Sequence, residues 1–166
     1  MMEPCPTFHA LVPLKAPSAC KSRLVGALPE PAREQLVQTM LAAVVRACRE
    51  ARHIGGTTVI EPAGAGDLGS ALGAALDRLG LEGAGHGGVA IIMADLPLLD
   101  GQVLDAALSR GTGRATGLVV PDQHGTGTSL LAWRGSRFRD FRYGPQSFGA
   151  HMAALRAAGF LPVSHP

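Results

Sequence analysis

The sequence predicts an α/β domain built on a mostly parallel sheet. Two patterns predict it. Strand-like and helix-like segments alternate along most of the chain, which is how crossover-connected parallel sheets are built. One of those segments, residues 89–93, is apolar without a break, as strands buried on both faces are. No repeat, charge block or linker interrupts the 166 residues, so a single domain over 1–166 is expected.

Each element has its own local reason. Residues 7–12 are a short apolar run closed by Pro13 and read as the first strand. A loop follows over 13–28. Pro29 and Pro31 stand where a helix can begin. Leu36, Met40, Val44 and Cys48 then recur every fourth residue, with Val37, Leu41 and Val45 beside them. That is one broad apolar stripe on a long helix. Arg46, Arg49 and Arg52 suit its C-terminal end through the helix dipole. Gly55-Gly56 breaks the chain before a short strand at 57–60. A Gly/Pro loop at 61–66 leads to a helix over 68–79, and 80–88 is turn material. After the strand at 89–93, Asp100 can cap a helix reaching about Arg110. Strands at 116–120 and 129–133 are joined by a Gly-rich connection. Ser147 can cap a last helix that Gly159 stops, and 160–163 is a final strand.

Composition excludes several classes of function. Aromatic residues are 4% of the chain, too few for a wall of base-stacking rings. The net charge of +2 is too small for a surface that wraps nucleic acid, so no nucleic-acid partner is expected. Cys5, Cys20 and Cys48 are scattered and form no CxxC pair, so neither a disulfide framework nor a zinc site is indicated. The start of the chain has no basic n-region and no apolar h-region, and no apolar run spans a bilayer. A soluble, cytoplasmic protein without a membrane partner is the expectation.

In sheets of this kind ligands bind beyond the carboxyl ends of the strands. Four segments are placed for that. Lys15, Lys21 and Arg23 follow the first strand and make an anion cradle or a solvated basic loop. Asp95 stands at the end of the apolar strand, as a hard oxygen ligand for Mg²⁺ or as a turn residue. The connection Pro121-Asp122-Gln123-His124-Gly125-Thr126-Gly127-Thr128 offers close backbone approach, free N–H groups and two hydroxyls to a phosphate or carboxylate. Gly144 and Ser147 open a helix N-terminus, which attracts anions and is equally an ordinary helix start.

Together these segments resemble a known family. The run Val12-Pro13-Leu14-Lys15 to Lys21-Ser22-Arg23-Leu24, the loop Asp95-Leu96-Pro97-Leu98, the His124-Gly125-Thr126-Gly127-Thr128 run and Gly144-Pro145-Gln146-Ser147-Phe148 are similar to those of the CofC/FbiD guanylyltransferases of coenzyme F-420 biosynthesis. They come in the family's order over residues 10–159. The resemblance implies a Rossmann-like nucleotidyltransferase fold of the glycosyltransferase-A type. It implies transfer of GMP from GTP to 2-phospho-L-lactate, phosphoenolpyruvate or 3-phosphoglycerate, with release of pyrophosphate. By motif, Thr128, Gly144 and Ser147 would hold the acid, Asp95 would bind Mg²⁺, and Lys15, Lys21 and Arg23 would face the GTP phosphates. Metal and cations would neutralise the charges that meet there, and no protein nucleophile is needed.

The sequence also departs from the family. Arg52 runs almost directly into residues 54–66, where the family usually has another strand and helix. Leu68-Gly69 stands where the family usually reads Leu-Asn. The family's C-terminal Asp-Val-Asp-Thr-Pro stretch, with a second metal-binding Asp, is not within these residues. Two further readings therefore stay open: a relative that binds a phosphorylated ligand or a partner without turnover, and an enzyme with another acceptor in a different cofactor pathway.

Overall fold

A computed structural model describes residues 7–14, 27–61, 67–81, 87–135 and 137–165. In chain order the elements are β1 (Phe8–Pro13), α1 (Glu30–Glu50), β2 (Ile54–Ile60), α2 (Leu68–Leu79), β3 (Gly88–Ile92), α3 (Gly101–Ser109), β4 (Thr116–Pro121), β5 (Thr128–Arg134), α4 (Ser147–Ala157) and β6 (Leu161–Ser164). The strands form one sheet in the order β2-β1-β3-β5-β4-β6. β1 is parallel to β2 and β3, and β4 is parallel to β6. β5 is antiparallel to both its neighbours, β3 and β4. The mostly parallel sheet is therefore as expected, with β5 alone reversed. The link between β4 and β5 is a short turn, and a parallel pair would need a crossover of about a dozen residues.

Alternate residues of the strands feed two cores. Phe8, Ala10 and Val12 of β1 pack with Val44 and Cys48 of α1 and Leu104 and Leu108 of α3. Leu11, Ile91 and Leu131 point the other way, onto Leu72 and Leu76 of α2 and Leu155 of α4. Burying each such side chain is worth about 1.5–3 kcal/mol, which holds helices on both faces and leaves the strand ends to the loops. Cys48 is buried and inert: burial pushes its thiol up to about 11, against a smaller opposing effect of the Thr57 hydroxyl. Cys5 and Cys20 lie outside the described residues.

Two local expectations need correction. Gly55-Gly56 does not break the chain; both glycines belong to β2, which begins at Ile54. Gly56 is there because His9 crowds it: a Cβ at Gly56 would lie 2.8 Å from the imidazole Nδ1. Ser147 is not the cap of α4 but its first helical residue; the N-cap is Gln146, in the left-handed region with φ 59° and no side-chain cap bond. The other boundaries follow their residues. Asp67 and Asp100 cap α2 and α3 through the amides of Ser70 (2.9 Å) and Val103 (2.8 Å). Gly159, at φ 85°, ends α4, with the Phe160 amide returning to the Leu155 carbonyl at 3.0 Å.

A carboxylate locks α1 to α3. Asp105 accepts the amides of Arg52 (3.0 Å) and His53 (2.9 Å), the His53 ring at Nδ1 (3.0 Å) and the Arg52 guanidinium at Nε (3.3 Å). Among the described residues no helix is long and apolar enough to cross a membrane.

Candidate active site

The chain passes from β1 outward to β2 and then returns to β3 on the other side of β1. β1 and β3 are thus parallel neighbours that end at the same edge of the sheet, the carboxyl edge at which ligands of such sheets bind. The hydrogen bonds there show which loops share that edge. The Leu14 amide donates to the Ile60 carbonyl at 2.8 Å, and the Met93 amide donates to the Ser129 carbonyl at 3.0 Å. The ends of β1, β2 and β3 and the start of β5 thus lie side by side. Asp95 is exposed, two residues past Met93, at that edge. Leu14 is the last described residue after β1; Lys15, Lys21 and Arg23 lie outside the described residues.

Asp122 organises the turn between β4 and β5. Its Oδ1 accepts the amides of His124 (3.1 Å) and Thr126 (3.0 Å). Its own amide donates to the Gly127 carbonyl at 3.0 Å, and its carbonyl accepts from the Gly125 amide at 2.9 Å. The Gly127 amide first, then those of Thr126 and His124, hold the Asp122 carboxyl below its ordinary range against the opposing effect of burial. The amides of His124, Gly125 and Thr126 are thus spent inside the turn, not left free for an anion as the sequence suggests. What the turn offers instead is its far end, where Thr128 enters the sheet buried.

The start of α4 docks onto that turn. The Phe148 amide, one of the helix's unpaired first donors, reaches the Thr126 carbonyl at 3.0 Å. The Ser147 amide donates to the Gly144 carbonyl at 3.3 Å. Gly144 itself has φ 140°, where a side chain is strained, and open space around the missing Cβ. Thr128, Gly144 and Ser147, singled out in two separate segments of the sequence, are thereby brought to one junction of β5 with α4. That junction adjoins the end of β3, because Met93 pairs with Ser129.

His151 lies beneath the junction, fully buried one turn into α4. Its Nδ1 is 2.9 Å from Thr128 Oγ1, and its Nε2 accepts the Arg142 amide at 2.8 Å. Burial pulls its pKa down to about 4, only partly opposed by the negative charge of Asp140. The Tyr143 ring meets the imidazole edge-on at a centroid distance of 4.7 Å. The strand of irregular chain leading to Gly144 is fixed by Phe138, which packs edge-on against Trp133 (5.4 Å), Phe141 (5.8 Å) and Phe160 (6.0 Å). Arg139 adds a bond from Nη1 to the Gly73 carbonyl at 2.9 Å.

Neither His151 nor the turn-building role of Asp122 follows from the motifs alone. A signal for His151 exists: it stands four residues after Ser147, on the same helix face. Among the described residues no three His, Cys, Asp or Glu side chains gather into a metal cage. A cage is not what Mg²⁺ requires, since one or two carboxylates commonly hold it together with substrate phosphates. Asp95, exposed at the carboxyl edge of the sheet, is a carboxylate that fits such a donor set.

Known proteins agree with this architecture. A solved structure described as a nucleotide-diphospho-sugar transferase from Desulfovibrio desulfuricans has the same fold, with a TM-score of 0.76 over 96% of this chain and 79% of that one, at 15% identity. A phosphoenolpyruvate guanylyltransferase of Salinispora arenicola is 35% identical over 162 residues, covering 89% of this chain and 75% of the relative. A 2-phospho-L-lactate guanylyltransferase of Methanothrix thermoacetophila is 34% identical over 168 residues, covering 91% and 71%. Residues 8–162 match the family described as guanylyl transferase CofC like, which takes in every element from β1 to the start of β6. The chain belongs to the CofC-like guanylyltransferase family.

Proposed function

We propose that this chain transfers GMP from GTP to a small phosphorylated acid, phosphoenolpyruvate, 2-phospho-L-lactate or 3-phosphoglycerate, as a step of F-420 biosynthesis in the cytoplasm. A phosphate oxygen of the acid forms a bond to the α-phosphorus of GTP, and the bond from that phosphorus to the β-phosphate oxygen breaks. The products are a GMP–acid anhydride and pyrophosphate.

The observation that carries this reading is the placement of two dissimilar sites on one edge of the sheet. The ends of β1 and β3 suit a nucleotide triphosphate: Asp95 follows β3, and Lys15, Lys21 and Arg23 follow β1 in the sequence. The junction of β5 with α4 suits a small acid, with Thr128, Gly144 and Ser147 around it. The Met93–Ser129 pairing puts the two next to each other, so two anionic reactants can be held in line for transfer. Asp95 would hold Mg²⁺, which when bound offsets charge on the phosphates.

The test is pyrophosphate release with GTP, CTP and ATP, each paired with the three acids. Release with GTP and one of the acids supports the proposal. Release only with another nucleotide overturns the guanylyl assignment. Release with none of the nine pairs overturns the reaction.

A further inference from the structure

We propose that His151 is a positioning residue that aims the Thr128 hydroxyl hydrogen out of the protein, so that Thr128 presents a donor to an oxyanion of the acid substrate. The inference rests on the reading that Thr128 faces the acid.

The direction of the hydrogen follows from bonding constraints. The Arg142 backbone N–H can only donate, and it points at His151 Nε2 from 2.8 Å. Nε2 must therefore present its lone pair. A neutral imidazole carries one hydrogen, which is then on Nδ1. Nδ1 lies 2.9 Å from Thr128 Oγ1, so the ring donates and the hydroxyl oxygen accepts. The Thr128 hydroxyl keeps its own hydrogen, which cannot lie along the same line. Among the described residues no protein acceptor takes that hydrogen. A buried hydroxyl without an acceptor costs free energy, and an oxyanion supplies what is missing.

The surroundings keep the ring neutral. Protonation would put a hydrogen on Nε2 against the Arg142 amide, and burial opposes the charge. Of the groups around the ring, Asp140 favours protonation, whereas the Tyr143 ring edge and the Arg142 amide do not. At neutral pH Thr128 is thus locked as a donor. A site so arranged discriminates against ligands that bring a hydroxyl or amine where the oxyanion should be, since two donors would then face each other.

Two side chains separate this role from simple packing. Asn at 151 can place an amide N–H near the Nδ1 position and still donate to Thr128. Gln can place its oxygen near the Nε2 position and still accept from Arg142, but it leaves Thr128 unoriented. The experiment measures acid and GTP KM, by pyrophosphate release, for the wild type, His151→Asn, His151→Gln, Thr128→Val and Thr128→Val with His151→Gln. It is paired with long-range ¹H–¹⁵N spectra of ¹⁵N-histidine-labelled wild type.

The expected spectrum shows His151 with its hydrogen on Nδ1. His151→Gln should raise the acid KM about tenfold or more, the effect of a lost hydrogen bond to a charged group, with the GTP KM unchanged. His151→Asn should stay close to the wild type, and in the Thr128→Val background the Gln substitution should add nothing. A hydrogen on Nε2 overturns the inference even if both variants fail to fold. A His151→Gln enzyme that keeps its acid KM while Thr128→Val loses it overturns the part given to His151 and leaves the acid pocket standing. A Thr128→Val enzyme with an unchanged acid KM overturns the pocket reading and this inference with it.

Discussion

The Phe148 amide donates to the Thr126 carbonyl at 3.0 Å and so ties the start of α4 to the turn that ends in Thr128. The turn keeps its shape because Asp122 collects its amides. The two halves of the proposed acid pocket therefore both depend on the Asp122 carboxylate. Replacing Asp122 with Ala should raise the acid KM about tenfold, on the scale of one or two lost hydrogen bonds, and leave the GTP KM unchanged. Steady-state kinetics with each substrate varied in turn checks this; an equal loss for both substrates would mean that the turn supports the whole edge of the sheet.

Much of this arrangement is legible in the sequence, and the rest is not for identifiable reasons. The apolar run at 89–93, the four-residue spacing of Leu36 to Cys48 and the Asp100 cap are local signals, and local physics settles them. Ser147 misleads because its residue type suits a cap, whereas the first amides of α4 have partners from a distant turn. Gly55 and Gly56 mislead because what crowds them, Thr7 at the first and the His9 ring at the second, is not a neighbour in sequence. The Gly-Thr-Gly-Thr amides look available until the Asp122 carboxylate folds back on them. The contacts that decide the glycines and the start of α4 are long-range, and a single sequence carries no record of them; the Asp122 contacts are local but turn on a side-chain conformation that residue types alone do not fix.

Asp95 should be indispensable to turnover. It is exposed, three residues past β3, whose five residues are all buried. Asp95→Asn keeps the volume and removes the charge that would hold Mg²⁺. The expected result is a loss of about 10²-fold or more in kcat, typical when a preorganised charge-stabilising group is removed. The urea unfolding midpoint of the variant separates this loss from any change in stability. A variant with normal kcat at limiting Mg²⁺ would rule out Asp95 as the metal ligand.

The basic loop can be tested without knowing its conformation. If Lys21 meets charge that grows on the phosphates during transfer, Lys21→Ala should lower kcat by about 10²-fold with a smaller change in the GTP KM. Lys15→Ala and Arg23→Ala extend the test. Three variants within twofold of the wild type would make the loop a solvated one.

Tyr143 offers a prediction about stability alone. Its hydroxyl is buried with no hydrogen-bond partner among the described residues, and burial pushes the phenol pKa far upward. Phe at this position keeps the ring against His151 and removes the stranded polar atom. Tyr143→Phe should stabilise the protein by about 1 kcal/mol, a rise in Tm of roughly 2–4 °C for a chain of this size. Thermal unfolding of both proteins decides it. A lower Tm would mean that the hydroxyl has a partner, such as a buried water.

Acid should destabilise the protein in two separable steps. His151 is held at about 4, below its ordinary 6.5, chiefly by burial. The unfolded chain therefore binds a proton that the folded chain refuses between those values. Stability is complete above about pH 6.5 and falls as the pH drops toward 4, by at most about 3 kcal/mol. Asp105 is held at about 2, below its ordinary 3.8: burial pushes its pKa up, but the amides of His53 and Arg52 and their side chains outweigh that. Its contribution is complete above about pH 4 and is lost on the way to pH 2, by about 2 kcal/mol at most, less for the part owed to the exposed Arg52. Urea unfolding at intervals from pH 7 to pH 2.5 should show both falls in the wild type. His151→Asn should lose most of the upper one, what remains coming from His9, whose pKa burial also lowers, and keep the lower. Asp105→Asn should be weaker by about 1–3 kcal/mol at pH 7, since four donors lose a charged acceptor, and should show only the upper fall. A wild type whose stability is level between pH 6.5 and 4.5 would mean that His151 accepts a proton in place, which the Arg142 amide on Nε2 forbids.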